Sequence, residues 1–114
     1  MSTYDLELRN AAAGVVVASL TGELDLTNAR ELEERLDDAA ATEALLVVDV
    51  NRVVFLDSAA LHVFFKLSRR RGDDRLALLM EPNAAVSRTL DIVRMKDAVR
   101  VVTSLDDLEL AGAG

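Results

Sequence analysis

The sequence predicts one α/β domain with a mixed, mostly parallel sheet of about five strands and about four helices, in the order β-β-α-β-α-β-α-β-α. Three observations carry that expectation. Continuous apolar runs at Val15–Leu20, Leu45–Val50, Leu76–Met80 and Val99–Val102 have the length and β-branched content of strands covered on both faces. Segments of helical period separate them, and such alternation implies parallel strands joined by right-handed crossovers. A chain of 114 residues that is 51% hydrophobic builds one core and is too short for two.

The elements follow in order. Tyr4, Leu6 and Leu8 alternate with Asp5, Glu7 and Arg9, the period of a strand with one wet face, which suits an antiparallel edge strand. Ala11–Gly14 is expected to turn the chain into Val15–Leu20. From Asn28 to Ala41, residues Ala29, Leu32, Leu36 and Ala39 fall on one helical face, with Glu31 placed four residues before Arg35 and Thr27 or Asn28 as cap. After Leu45–Val50 come Asn51-Arg52 and Val53–Leu56, leading to Asp57-Ser58 and a helix to about Arg71, stopped by Gly72.

Past Leu76–Met80, the turn Glu81-Pro82-Asn83 is expected to end in a cap at Asn83. The helix it opens has Val86, Leu90 and Val93 as inner stripe and ends near Met95-Lys96. Ser104 and Asp107 have the spacing of a capping box for a short last helix, Leu105–Leu110. The domain is thus expected over residues 1–110, with 111–114 a frayed tail.

Composition excludes several classes of function. Aromatic residues make up 4% of the chain and Trp is absent, so base stacking has little to stand on; the core is aliphatic, with Phe55, Phe64 and Phe65 its largest pieces. The net charge of −7 argues against nucleic acid and anionic membrane as partners. The acidic excess lies in the first half, where residues 1–58 carry 12 acids and 4 bases against 8 and 9 in residues 59–114. A basic protein partner would match it; so would a first helix that shows solvent an acidic face. Cysteine is absent, no Gly-rich phosphate loop occurs, and His62 is the sole histidine, so no metal or cofactor is expected. With no apolar run near the ~20 residues of a membrane span, a soluble cytoplasmic protein is expected.

The chemistry concentrates in Val54–Leu67, where Asp57-Ser58 joins a strand to an apolar helix. Asp and Ser are good helix caps, and a phosphate on Ser58 would also be favoured by free N–H groups and the positive helix terminus. Ser58 and His62 share a helical face, which permits a nucleophile and base, yet no third orienting group and no G-x-S-x-G elbow is evident. His62, Lys66 and Arg70 otherwise read as a solvated stripe. The apolar surface of the same helix, from Ala59 to Leu67, serves either a packed core or a partner, and Ala59 and Ala60 leave room beside the hydroxyl. In Gly22-Glu23-Leu24-Asp25, Gly22 suits a turn and Asp25 a cap. Asp25 and Ser58 both follow parallel strands, so one sheet edge can hold both.

On these residues the chain resembles a STAS domain of the bacterial anti-sigma factor antagonist family. Gly22-Glu23-Leu24-Asp25-Leu26-Thr27 resembles the family's G-E-[LI]-D-x-x-T segment. Leu56-Asp57-Ser58-Ala59-Ala60-Leu61 resembles its [LIM]-D-S-[ST]-G-[LI] segment. The resemblance implies a regulatory binding protein, not an enzyme, with Ser58 as phosphoacceptor. Its implied partner is an anti-sigma factor that is also an ATP-dependent serine kinase; a serine phosphatase restores the unphosphorylated, binding-competent state, in bacterial stress response or sporulation. The partner surface expected from it comprises Asp25, Thr27, Asp57, Ser58, Ala59, Ala60 and His62. Ala59 replaces a second hydroxyl, which leaves Ser58 the sole acceptor in the motif, and Ala60 replaces a glycine, its methyl narrowing the backbone approach open to a kinase. A STAS scaffold without phosphorylation, in a lipid-transport or sensory complex, is the alternative, and weak homodimerisation stays open.

Overall fold

In the computed structural model, residues 3–41, 43–72 and 74–108 are described. Strand β1 (Tyr4–Ala12) pairs antiparallel with β2 (Val15–Leu24) through a tight turn in which Gly14 takes φ 74°. The strand runs further than the alternation suggests. Tyr4 and Leu6 are buried, but Leu8 lies half exposed on the edge, so only the first part of the alternating stretch is covered.

Strand β3 (Leu45–Leu56) lies parallel to β2 and continues unbroken through Asn51-Arg52. Two register shifts against β2, at Ser19/Thr21 and Gly22/Glu23, absorb the polar interruption. β4 (Leu76–Leu79) and β5 (Arg100–Val102) complete a sheet of order β1-β2-β3-β4-β5, in which every pair after the first is parallel. Each crossover advances one strand in the same direction. Right-handed connections therefore put α1 (Ala29–Ala39), α2 (Ser58–Arg71) and α3 (Ser87–Ile92) on one face of the sheet.

That face holds the main core, where Leu20, Leu46, Val48 and Leu78 meet Leu32, Leu36, Phe64, Leu67 and Leu90. On the other face Val15, Val17, Val47, Ala77, Leu79 and Val102 are covered by Leu105 and Leu108 of a short 3-10 helix, Leu105–Leu108. Of the three phenylalanines only Phe64 is fully buried. Phe55 is 50% exposed, because it lies where β3 has outrun its β4 partner.

The helices depart most from expectation. Asn83 caps nothing; the turn after β4 is held by Glu81 N donating to Asn51 Oδ1 (2.7 Å), and α3 starts four residues later with Val86 at its N-cap position. Val86 and Leu90 are buried as expected, whereas Val93 is 37% exposed. Arg94 then turns left-handed (φ 56°), which puts Met95 into the core at the start of a 3-10 helix, Met95–Asp97. The capping box does not close either. Ser104 Oγ accepts from Asp106 N (3.2 Å) and the Asp107 carboxylate accepts from the Thr103 hydroxyl (3.0 Å), geometry that suits a 3-10 turn. The described residues thus contain three α-helices and two 3-10 helices; the rest of the expected last helix and the 111–114 tail lie outside them.

Arg71 ties down the opposite edge of the sheet, donating to the carbonyls of Ala41 (2.9 Å), Ala44 (2.7 Å) and Arg75 (3.0 Å). Among the described residues no helix is long and apolar enough to cross a membrane.

Candidate functional site

Leu24 and Leu56 are neighbours in register, so the loops beginning at Asp25 and Asp57 leave the same sheet edge. Backbone chemistry then fastens them. Asp57 N donates to Leu24 O (3.1 Å), and the Asp57 carboxylate faces both loops: Oδ1 accepts from Ala59 N (2.9 Å) and Ala60 N (3.2 Å), while Oδ2 accepts from Leu26 N (3.0 Å). One side chain therefore caps α2 and clamps the first loop. Ser58 does not cap. It is the first helical residue, exposed, and its hydroxyl has no hydrogen-bond partner among the described residues.

The first loop is shaped by Asn28, which is 6% exposed. Its amide donates to Glu23 O (3.0 Å) and its Oδ1 accepts from Asp25 N (3.0 Å). Asn28 stands at the N-cap position of α1, but its side chain turns back into the loop and makes no cap bond. Thr27 makes none either, because Asp25 Oδ1 takes both its N–H (3.0 Å) and its hydroxyl. Asp25 is thus a loop former, not a cap. Gly22 is not a turn residue: it lies inside β2 at φ 94°, and a Cβ there would sit 2.2 Å from Thr3 O. Only glycine lets β1 pass so close.

Between α1 and α2 an open groove of about 560 Å³ is lined by Leu26, Ala29, Arg30 and Glu33 on one side and Ser58, Ala59, His62, Val63 and Lys66 on the other. The stripe His62, Lys66, Arg70 is not merely solvated. Lys66 Nζ lies 2.7 Å from Glu33 Oε1, and Arg70 bridges Glu33 and Asp37. The hydrogen bond from Lys66, aided by Arg70 and opposed by burial, holds the Glu33 carboxyl below its usual range, and Glu33 in turn raises Arg70.

Ser58 and His62 share this groove without a hydrogen bond between them, and no carboxylate orients the imidazole among the described residues. The geometry of a serine nucleophile with its base is not assembled. No group of three or more His, Asp or Glu among the described residues is placed to hold a metal ion. The apolar surface of α2 turns inward: Ala60, Leu61, Val63, Phe64 and Leu67 are buried. Ala60 consequently points into the core and offers a partner no side-chain surface. Asp25, Thr27, Asp57, Ser58, Ala59 and His62 retain exposure at the sheet edge or groove.

The exposed apolar surface near the site comes instead from Leu26 (78%) and Val54 (63%), which sequence reasoning did not single out, and from Phe55 (50%), which it assigned to the core. Asn28 was read only as a cap, and Arg30 was missed. Arg30 had a legible signal: with Glu33 and Asp37 it forms an i, i+3, i+7 stripe that matches the four-residue spacing of His62, Lys66 and Arg70.

A mixed sheet with all its α-helices on one face, presenting a single uncommitted serine hydroxyl where a strand hands over to a helix, defines a small α/β domain built around a presented side chain. The chain belongs to the STAS domain family, whose profile matches residues 9–108. It is 28% identical over 95 residues to the anti-sigma-F factor antagonist RsfB of Mycobacterium tuberculosis, covering 82% of this chain and 78% of that one. Its fold matches the crystal structure of an anti-sigma factor antagonist from Mycobacterium paratuberculosis (TM-score 0.80, 24% identity, 97% of this chain and 95% of that one). It also matches the Bacillus cell fate determinant SpoIIAA in its phosphorylated form (TM-score 0.63, 19% identity, 94% and 99%).

Proposed function

We propose that this protein is a cytoplasmic anti-sigma factor antagonist switched by phosphorylation of Ser58. Unphosphorylated, it binds an anti-sigma factor that is also a serine kinase and so releases a sigma factor; phosphorylated, it lets go, and a serine phosphatase resets it. The observation that carries this reading is the state of Ser58: exposed, its hydroxyl without a hydrogen bond among the described residues, on an open groove, with helix capping already supplied by Asp57. A hydroxyl with no structural duty at a helix N-terminus is free for chemistry, and the terminus favours the charge a phosphate adds. The likeness to RsfB supports the same role.

The contact surface in this reading consists of Asp25, Thr27, Asp57, Ser58, Ala59 and His62, with Leu26 as its exposed apolar member. Ala60 acts from below, fixing the helix start through its N–H to Asp57. Phosphate adds about −1.5 to −2 charges beside Asp57, which opposes a packed interface by repulsion and desolvation without refolding the domain.

Intact mass after incubation with the cognate anti-sigma kinase and ATP tests the switch. Wild type gains one phosphate, Ser58→Ala gains none, and Ser58→Asp binds the kinase at least tenfold more weakly. Phosphate on another residue, or equal binding by Ser58→Asp, rejects it.

A further inference from the structure

Helices α1 and α2 run side by side in the same direction, each returning from the site edge, and their facing stripes form a ladder of charge. On α1 the stripe is Arg30, Glu33, Asp37; on α2 it is Ser58, His62, Lys66, Arg70. The far rungs are filled by opposite charges, Asp37 with Arg70 and Glu33 with Lys66 and Arg70. The rung nearest the sheet edge is different. There Arg30 lines the groove with Ser58 and His62, and neither Arg30 nor His62 has a hydrogen bond or ion pair among the described residues. The acid that completes the other rungs is missing on this one, beside the unbonded hydroxyl of Ser58.

The other charged groups at this end are already engaged. Glu33 and Lys66 satisfy each other, the Asp57 oxygens take three backbone N–H groups, and Asp25 takes Thr27. We propose that a phosphoryl group on Ser58 supplies the missing acid and is held within the same molecule by Arg30 and His62. This rests on Ser58 being the phosphoacceptor. The fork of an arginine suits two phosphate oxygens, a protonated imidazole adds a second donor, and the positive end of α2 favours the added charge. Phosphorylation then acts twice on a partner: it adds negative charge, and it withdraws Arg30 and His62 from the groove by occupying them.

The test uses the full chain with phosphoserine installed at position 58 by an expanded genetic code, so it does not depend on any kinase. The readout is the second ionisation of the phosphate, followed by ³¹P NMR between pH 4 and 9. Cations held against the phosphate favour its dianion, so its second pKa falls as they approach and rises when they are removed. Relative to wild type, Arg30→Gln and His62→Gln are each expected to raise it by about half a unit, the low end for a close charge after solvent screening. Arg88→Gln, on an exposed position of α3, is expected to change nothing. A wild-type titration in 1 M salt gives a second reading free of any variant, since screening should bring the phosphoprotein towards a phosphoserine peptide in the same salt. Identical titrations for wild type, Arg30→Gln and His62→Gln overturn the proposal. A chain that the kinase fails to phosphorylate on Ser58 overturns the switch instead, and the two failures are separately visible.

Discussion

Removing the Asp57 carboxylate should loosen both loops of the site at once. Asp57→Ala deletes the cap on Ala59 N and Ala60 N and the clamp on Leu26 N. Loss of an N-cap costs ~1 kcal/mol, loss of a partly exposed charge-assisted hydrogen bond ~1 kcal/mol, and loss of a negative charge at a helix N-terminus ~0.5 kcal/mol. The total is about 2.5 kcal/mol, or roughly 10 °C in Tm for a domain of this size. Asp57→Asn separates the contributions. Its remaining oxygen can keep the cap, but its NH₂ would meet Leu26 N–H donor to donor, so about half the loss is expected. Ser58→Ala should stay within about 0.5 kcal/mol of wild type, because the hydroxyl it removes bonds to none of the described residues. Urea unfolding with a constant m-value and thermal melts by circular dichroism measure all three. Ser58→Ala falling as far as Asp57→Ala, or Asp57→Ala within 0.5 kcal/mol of wild type, would refute the assignment of the cap.

Two further outcomes follow from the framework around the site. Gly22→Ala combines a positive φ with a Cβ 2.2 Å from Thr3 O, and should cost about 3 kcal/mol by urea unfolding; a neutral result would mean that β1 moves aside freely. Because Glu33 is held below its usual range in the folded state, its contribution to stability is present above that usual range and is lost as pH falls through the lowered value. The urea midpoints of wild type and Glu33→Gln should therefore differ most near pH 7 and converge in acid; a gap that widens on acidification would contradict the ladder.

The element order was legible because apolar runs and helical stripes alternate with short connections, and α2 could be bounded closely, since Asp57 and Gly72 cap it by local geometry. What escaped depends on contacts distant in sequence. That Asn51-Arg52 continues a strand is decided by register shifts against β2, not by its own propensity. Asn28 reads as a cap in sequence and becomes a loop strut only because Glu23 O and Asp25 N lie within its reach. The exposure of Phe55 follows from how far β3 outruns β4, a length difference that hydrophobicity does not encode. The two site motifs were visible separately; the carboxylate that binds them was read as half of a cap.

That shared carboxylate divides the motif into a residue that inheritance must keep and one it is free to discard. Mutation of Asp57 unsettles two loops whatever the protein is used for, so purifying selection on folding alone would retain it in lineages that have abandoned any switch. Ser58 enjoys no such protection, because its side chain supports nothing else in the described fold. Among descendants of this domain an aspartate at the first position therefore records ancestry, while a serine at the second, if the proposed switch holds, records use.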